Sequence, residues 1–359
     1  MSKWKNLKGM KLVKALVVTD KHKMELQDIS KPKIQQGKVL IKVAYCGICG
    51  SDLPRYFEGG VHAFPQVLGH EFSGIVEEIG DGVSNVSVGE KVAVAPLVPC
   101  GTCENCQKGE PAMCTQYSFI GSREQGAMAE YVVVPEKNCV KVPDNLSLKE
   151  AALLEPLTVA IHGIERVRIA AGVDVLVLGA GTIGLLTVLS LRAIGVGKIT
   201  VVDLNEKKLE VAKAIGADET VNPLTTKLED YYQNNRLPEV AIETAGSSIT
   251  QKQAVEFVAK RGKVVYVGTS TRDVVFDPET FEKILRGELD VTGSWMSYSA
   301  PFPGYEWETG LRYMSTGEID VKPLITGTYK LEDVALPFDK MIEKNSAAVK
   351  LLYAINEEK

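Results

Sequence analysis

Over roughly the first 150 positions, short apolar runs rich in β-branched residues alternate with turns that contain glycine, proline or asparagine. This pattern predicts short β-strands, because β-branched side chains favour extended backbone and the turn residues end it. The predicted strands cover residues 15–19, 38–45, 72–79, 91–98 and 130–134. Many short strands at this spacing favour a barrel or partly closed β-domain over a parallel sheet.

From about residue 155 onwards, short buried strands alternate with helical runs. Strands are predicted at 173–178, 198–203, 240–243, 264–267 and 290–295, with helices ending near 194 and 215. Such alternation is typical of a parallel, doubly wound α/β sheet, which the last of these strands closes. The tail from about residue 297 mixes aromatic, proline and helical segments, and its pattern alone assigns it to neither part.

Length and composition limit the class of protein. The 359 residues suit two domains, and 45% hydrophobic with 24% charged residues is ordinary for a globular protein. The net charge of −5 argues against a general nucleic-acid binder. No apolar run of signal-peptide or membrane-spanning length follows the lysine-rich residues 1–14. We therefore expect a cytoplasmic protein with a solvated leader and no membrane partner.

The segment Gly179-Ala-Gly-Thr-Ile-Gly184 follows a predicted buried strand and opens a helix, which is the context that gives this glycine motif its meaning. Gly179 allows a tight turn, Gly181 lets the backbone approach a pyrophosphate, and Gly184 lets helix and strand pack closely. Thr182 and Ile183 begin the helix, whose free N–H groups can bind phosphates. The segment therefore predicts a dinucleotide site.

Asp203 ends the next predicted strand and follows Gly184 by 19 residues. A carboxylate there accepts hydrogen bonds from the adenosine ribose hydroxyls and repels a 2′-phosphate. Neither Leu204 nor Asn205 supplies a positive charge to offset that repulsion, so NAD is favoured over NADP. The alternative is an ordinary turn in which Asp203 only caps a helix.

Seven cysteines, an odd number, favour metal binding over disulfides in a chain without an export signal. Four of them lie within 15 residues: Cys100, Cys103, Cys106 and Cys114. Four thiolates enclose Zn²⁺ tetrahedrally and leave no open position, so this zinc is predicted to be structural. An iron–sulfur cluster is the alternative, but in ferredoxins the fourth cysteine follows after three residues and precedes proline. Here seven residues intervene and Thr115 follows, which favours zinc.

A second, dispersed set of metal-binding side chains comprises Cys46, Cys49, His70, Glu71 and Glu155. A catalytic zinc needs about three protein ligands and one open position, and one thiolate, one imidazole and a carboxylate supply that. The pair Cys46 and Cys49 is also compatible with a redox C-x-x-C motif, although that motif is expected in a βαβ unit and this region is β-rich. Spacing alone leaves the choice of cysteine open.

In their order along the chain, Cys49-Gly-Ser-Asp52, Gly69-His70-Glu71, the four-cysteine segment and the glycine turn resemble the zinc-containing medium-chain dehydrogenases. The resemblance covers essentially the whole length. Glu155-Pro156 is similar to the polyol, or sorbitol, branch, where alcohol dehydrogenases proper have a cysteine. The run 293–308, together with residues 49–55 and 119–123, resembles dehydrogenases of galactitol-1-phosphate and of pentitol phosphates.

This resemblance implies a fold, a metal site and an assembly. The fold is a GroES-like β-rich catalytic domain, residues 1–156 with 298–359 returning to it, and an inserted Rossmann domain, residues 157–297. The catalytic zinc is then held by Cys49, His70 and one or both of Glu71 and Glu155, and a second zinc by the four clustered cysteines. Cys46 and Cys139 are then small buried hydrophobic residues. The subunits are expected to form a homodimer or homotetramer.

The implied reaction is hydride transfer between NAD and a small polyol phosphate, galactitol-1-phosphate or a pentitol phosphate, to give the ketose phosphate. Zinc would act as a Lewis acid on the substrate hydroxyl, and Ser51 would receive the departing proton. Asp52 would orient the site, and a role for His62 is open. The side chains expected to bind the phosphate are Arg55 and Arg123, because guanidinium makes forked hydrogen bonds to phosphate, with Lys350 as a further contact. Residues expected to line the substrate pocket or the core are Trp295, Tyr298 and Trp307.

Two alternatives to this function stay open. The nearer one is a dehydrogenase of a free polyol or diol such as sorbitol, xylitol or butanediol. The other is a non-catalytic protein that kept the fold. Loss of Cys49, of His70 or of the glycine turn would favour the second alternative, and the sequence retains all three.

Overall fold

The structure, a computed structural model, describes residues 11–357. The predicted leader therefore lies mostly outside the described residues. The strands are β1 Leu12–Asp20, β2 Lys23–Ser30, β3 Lys38–Gly47, β4 Gln66–Val67, β5 Glu71–Ile79, β6 Lys91–Val94, β7 Leu97–Val98, β8 Ser118–Phe119, β9 Tyr131–Pro135, β10 Cys139–Lys141, β11 Val175–Leu178, β12 Ile199–Val202, β13 Glu219–Val221, β14 Val240–Glu243, β15 Lys263–Tyr266, β16 Asp290–Gly293, β17 Ile325–Tyr329 and β18 Lys350–Ala354. The helices are α1 Asp52–Phe57, α2 Glu104–Gln107, α3 Leu148–Ala151, α4 Leu154–Val167, α5 Thr182–Ala193, α6 Glu206–Ala214, α7 Leu228–Gln233, α8 Ser248–Glu256, α9 Pro278–Gly287, α10 Tyr305–Thr316 and α11 Leu336–Ile342.

Six parallel strands form one sheet in the order β13-β12-β11-β14-β15-β16. Every residue of β11, β12 and β14 is buried, because helices cover both faces of a parallel sheet and its strands must be apolar on both sides. The chain order along the sheet reverses between β11 and β14, which makes the carboxyl end of β11 the expected place for a ligand. The predicted doubly wound sheet is confirmed.

The β-rich part contains a seven-stranded sheet, in which β10-β6-β5-β3-β18-β17 follow one another and β9 also pairs with β3, and a three-stranded sheet in the order β2-β1-β4. The tail contributes two of these strands, since β18 pairs antiparallel with β3 and parallel with β17. The predicted strand 91–98 is divided into β6 and β7. The Ala95 N–H still donates to the Asn138 carbonyl, but Pro96 has no N–H, and the strand is interrupted there.

Helix α4 packs against the segment 292–306, which precedes and begins α10. Tyr298 and Trp307 are buried there, and the Trp307 indole N–H donates to the Ser297 carbonyl at 2.9 Å. Trp295 is 51% exposed. Of the three aromatic side chains expected in the pocket or core, Tyr298 and Trp307 thus belong to the core. Between residues 11 and 357, no helix has the length and apolar character needed to cross a membrane.

Candidate active site

Three elements from distant parts of the chain bring polar side chains together at one point. Cys49 follows β3, Glu71 is the first residue of β5, and Glu155 lies in the first turn of α4. The potential ligand atoms of Cys49, His70 and Glu71 all lie within 4.8 Å of one another. One thiol, one imidazole and one carboxylate at this distance are a donor set that fits zinc and leaves a coordination position free.

Asp52 is fully buried and lies next to Cys49 and His70 of this cluster. One of its oxygens lies 3.5 Å from His70 Nδ1, and the other accepts the Cys49 backbone N–H at 3.2 Å. Burial alone would raise the pKa of Asp52, but the neighbouring His70 and Arg55 outweigh it and lower that pKa. Because His70 Nδ1 faces the carboxylate, its Nε2 is the nitrogen free for a metal, as is usual for ligating histidines.

Glu71 is held by Lys350, the first residue of β18. Lys350 Nζ donates to Glu71 Oε2 at 2.5 Å and to the Ile48 carbonyl at 3.0 Å. Burial would lower the pKa of Lys350, but the adjacent Glu71 carboxylate outweighs it and raises that pKa. The expectation that Lys350 contacts a substrate phosphate is therefore wrong, because its side chain is only 1% exposed and its ammonium is engaged inside the site.

Glu155 lies beside the cluster and is not among the three groups within 4.8 Å. Desolvation raises the pKa of its carboxyl to about 7, and the charge of Glu71 acts in the same direction. The buried Tyr298 is its neighbour. Burial is the main cause of the raised pKa of that phenol, and the charge of Glu155 is the next cause. A second carboxyl thus lies near enough to His70 and Glu71 to interact with them electrostatically.

Among the described residues, the two remaining cysteines, Cys46 and Cys139, belong to neither of the two groups of potential metal ligands. Cys46 is fully buried, and burial raises the pKa of its thiol well above the usual range. Burial likewise raises the pKa of Cys139 to about 12. Both thiols therefore stay protonated and pack as small apolar groups, Cys46 fully buried as expected and Cys139 only partly buried.

The two arginines expected at the phosphate differ in their surroundings. Arg55 Nη1 donates to Ser51 Oγ at 2.9 Å and to Asp52 Oδ1 at 3.0 Å. Arg123 is exposed, and its guanidinium lies over the Tyr117 ring at 4.3 Å. Within residues 11–357 no ion pair to Arg123 is formed. Phe119, four residues earlier in the chain, packs its ring edge against His70.

The four clustered cysteines form a separate site. Their sulfur atoms lie within 4.8 Å of one another, with Cys100 Sγ 4.0 Å from Cys106 Sγ and Cys103 Sγ 3.8 Å from Cys114 Sγ. Four thiolates bound tetrahedrally to zinc at about 2.3 Å stand about 3.8 Å apart. The Cys103 backbone N–H donates to Cys100 Sγ at 3.3 Å, which favours the thiolate form. The site fits a closed structural zinc.

The glycine turn lies between β11 and α5. Gly179 has φ +105°, a left-handed value that other residues rarely adopt, and a Cβ on Gly184 would overlap the Gly179 carbonyl. A Cβ on Gly181 would meet no atom within 4 Å, so open space lies before the start of α5. A long anionic group such as a pyrophosphate fits this space.

Asp203 directly follows β12 and borders a cleft of about 300 Å³. Its two oxygens accept the backbone N–H groups of Ala180 at 2.7 Å and Asn205 at 2.8 Å. Each oxygen keeps a second lone pair for another donor. Leu204 and Ile249 form exposed apolar walls of the cleft, which suits a flat adenine ring next to the carboxylate.

Sequence patterns did not indicate the polar contacts that fasten α4 to the segment 297–306. Thr158 Oγ1 lies 2.6 Å from Ser297 Oγ, and His162 Nδ1 lies 2.8 Å from Glu306 Oε1. The other Glu306 oxygen accepts the Ser299 hydroxyl at 2.7 Å. Glu306 belongs to the run 293–308, but the run alone gives no sign that this carboxylate is buried. The contacts hold that segment beside the helix that carries Glu155.

Comparison with known proteins gives two family matches and close relatives. Residues 35–144 match the family described as the alcohol dehydrogenase GroES-like domain, and residues 182–315 match zinc-binding dehydrogenase. Galactitol 1-phosphate 5-dehydrogenase of Escherichia coli strain K12 is 40% identical over 308 residues, which cover 85% of this chain and 89% of that protein. Sorbitol dehydrogenase of Bacillus subtilis strain 168 is 32% identical over 348 residues, covering 95% and 96%. The crystal structure of galactitol-1-phosphate dehydrogenase from Escherichia coli has a TM-score of 0.90 at 37% identity, over 95% of this chain and 99% of that one.

Proposed function

The chain belongs to the zinc-binding alcohol dehydrogenase family, in its polyol dehydrogenase branch, and we propose that it oxidises a polyol phosphate with NAD⁺. The observation that carries the proposal is the cluster of half-buried Cys49 with buried His70 and Glu71, with Glu155 beside it and the glycine turn in the same chain. Galactitol-1-phosphate and pentitol phosphates are the substrates we propose first. A free polyol or diol is the second candidate, because a sorbitol dehydrogenase is also similar over nearly the whole chain.

We propose that Cys49, His70 and one or both of Glu71 and Glu155 hold the catalytic zinc. Zinc in such a site supplies a Lewis acid that lowers the pKa of an alcohol. Asp52 accepts the Cys49 backbone N–H and has one oxygen 3.5 Å from His70 Nδ1, and Lys350 holds one Glu71 oxygen at 2.5 Å. Ser51, two residues beyond Cys49, is the proposed acceptor of the substrate proton.

The proposed cofactor site is the turn between β11 and α5 together with Asp203. NAD⁺ supplies the hydride acceptor. The N-terminus of α5 presents free N–H groups, and the open space before Gly181 admits a pyrophosphate. Asp203 would bind the ribose hydroxyls and repel a 2′-phosphate, which favours NAD⁺ over NADP⁺.

We propose Arg123 as the phosphate contact. Its guanidinium is exposed and lies in the same segment as Phe119, which touches His70. A guanidinium that is stacked on Tyr117 is preorientated, and its edge remains free for forked hydrogen bonds. Arg55 is less suited to this role, since one of its nitrogens already serves Ser51 and Asp52.

NADH formation from matched pairs of free and phosphorylated polyols tests the proposed function. The panel contains galactitol, sorbitol, xylitol and butanediol beside galactitol-1-phosphate and pentitol phosphates. One charge-assisted contact of about 1.5–3 kcal/mol predicts that kcat/KM is about tenfold to a hundredfold higher with the phosphate. Equal values for both members of each pair would favour the free-polyol alternative. Absence of NADH from every pair would favour a non-catalytic protein.

We also propose that the chain forms homodimers or homotetramers through the edge of its parallel sheet. The outer strand β16 is paired on one side only, and Val291 on it is 40% exposed. Phe281 and Leu285 on the preceding helix α9 are 58% and 64% exposed. An edge strand flanked by apolar side chains suits pairing across a two-fold axis. We expect light scattering to give at least twice the chain mass, and Val291→Lys to lower it; a monomeric wild type would contradict the proposal.

A further inference from the structure

Arg55 touches two groups of the proposed active site with a single nitrogen atom. It lies in α1, and its side chain is 19% exposed. Nη1 donates one hydrogen to Ser51 Oγ at 2.9 Å and the other to Asp52 Oδ1 at 3.0 Å. The same Asp52 oxygen lies 3.5 Å from His70 Nδ1. The Arg55 guanidinium thus connects Ser51, the proposed proton acceptor, to Asp52, which lies next to the proposed zinc ligands Cys49 and His70.

The contact restricts what the Ser51 hydroxyl can do. A hydroxyl has one donor and two acceptor positions, and a guanidinium can only donate. Arg55 therefore occupies one lone pair of Ser51 Oγ, which leaves its O–H and its other lone pair available to a substrate. Without Arg55, no hydrogen bond within residues 11–357 would hold Ser51 Oγ in one place, and the side chain could exchange among its staggered rotamers.

The contact also balances charge. Asp52 is fully buried, and among the described residues Arg55 is the one arginine or lysine paired with it. A buried carboxylate that loses its cationic partner changes its hydrogen bonding or admits water. Because the same carboxylate accepts the Cys49 backbone N–H and lies 3.5 Å from His70 Nδ1, such a change would reach both proposed ligands.

We infer that Arg55 is a positioning residue, which fixes the Ser51 hydroxyl and Asp52 relative to one another, and that it does not bind the substrate phosphate. The inference rests on the proposed dehydrogenase function and assigns to Arg55 a role in turnover of phosphorylated and free polyols alike. Arg123 is left as the arginine that distinguishes the two kinds of substrate.

The test compares Arg55→Ala, Arg55→Lys and Arg123→Ala with wild type on one phosphorylated polyol and its free counterpart. We expect Arg55→Ala to lower kcat about tenfold to a hundredfold on both substrates, with KM for the phosphorylated one changed less than about twofold. Arg55→Lys keeps a charged donor and should regain part of kcat. Millimolar guanidinium chloride should restore part of kcat to Arg55→Ala, which loss of general stability would not allow.

Zinc retention provides a measurement that does not depend on turnover. Loss of a residue behind a metal ligand typically weakens metal binding about tenfold to a hundredfold, so Arg55→Ala should lose one zinc to a chromogenic chelator faster than wild type. Arg236→Ala is the matched control, because Arg236 forms an ion pair of 2.7 Å with Glu239 in the Rossmann part, three residues away in sequence. It should behave as wild type in both measurements.

The outcomes separate the inference from the proposed substrate. If phosphate is not recognised, Arg123→Ala has no effect, while the effects of Arg55→Ala on the free polyol and on zinc retention remain. If Arg55→Ala raises KM for the phosphorylated polyol alone and keeps wild-type zinc retention, Arg55 is a phosphate contact and the inference is wrong. Wild-type behaviour of Arg55→Ala in every measurement would also overturn it.

Discussion

At the level of a single side chain, Asp203 combines a structural role with a proposed role in binding the dinucleotide. Its oxygens tie the glycine turn to the end of β12 by accepting the N–H groups of Ala180 and Asn205. Asp203 also lines the cleft of about 300 Å³ that we propose for the adenosine. We therefore expect the charge of the carboxylate, and not only its shape, to determine which dinucleotide is accepted.

Asp203→Ala and Asp203→Asn separate these tasks. Loss of the ribose contacts should lower kcat/KM for NAD⁺ by about tenfold to a hundredfold in the alanine variant, as expected for hydrogen bonds to a charged group. The asparagine variant keeps an acceptor but removes the repulsion, so it should mainly improve use of NADP⁺. Steady-state rates with both dinucleotides measure this. An unchanged ratio of NAD⁺ to NADP⁺ use in both variants would contradict the proposed role.

Single residues were predictable from sequence where a motif defines their surroundings. The four cysteines and the glycine turn lie where their spacing indicates. Lys350 was misjudged because its partner, Glu71, is 279 residues away along the chain. The engagement of Arg55 depends on a rotamer in α1, which residue type alone does not fix.

At the level of elements, the turn from β11 to α5 combines close packing with open space. A Cβ on Gly184 would overlap the Gly179 carbonyl and lie 2.9 Å from Thr244 Oγ1. A Cβ on Gly181 would meet nothing within 4 Å. Gly184 thus allows the strand and the helix to pack closely, and we propose that Gly181 allows the dinucleotide to approach.

We expect Gly184→Ala to lower the melting temperature, because β11 and α5 must move apart. Gly181→Ala should keep the wild-type melting temperature but weaken NADH binding at least about tenfold, or ~1.4 kcal/mol, because its methyl group enters the proposed pyrophosphate space. Thermal unfolding and NADH fluorescence titration measure the two effects. Equal melting temperatures for both variants, with NADH binding intact in Gly181→Ala, would show that the turn does not bind the dinucleotide.

Elements were predictable where their apolar pattern is strong. The strands at 240–243 and 38–45 are confirmed as β14 and β3, and the helix ending near 194 as α5. Strand β17 was not predicted; its residues Ile-Thr-Gly-Thr-Tyr alternate between half-buried and exposed, and none is fully buried. This strand is stabilised by pairing with β18, and the local sequence pattern does not indicate that pairing.

For the whole molecule, the fold class was predictable because strands with turns precede strands with helices in the chain. The family matches over residues 35–144 and 182–315 confirm the GroES-like and zinc-binding dehydrogenase parts. The pairing of β18 with β3 was expected only from the resemblance, since the tail itself has no distinctive pattern. The same pairing brings Lys350 beside Glu71, so the proposed site needs both ends of the β-rich part.

The central claim is that Cys49, His70 and the neighbouring carboxylates form a catalytic zinc site, separate from the four-cysteine site. Elemental analysis of zinc in the folded protein, together with NADH formation, tests it on Cys49→Ser and Cys106→Ser. Wild type should hold about two zinc ions per chain. Cys49→Ser should hold about one and form no NADH, and Cys106→Ser should lose the other zinc. Retention of both zinc ions and wild-type turnover by Cys49→Ser would contradict the claim.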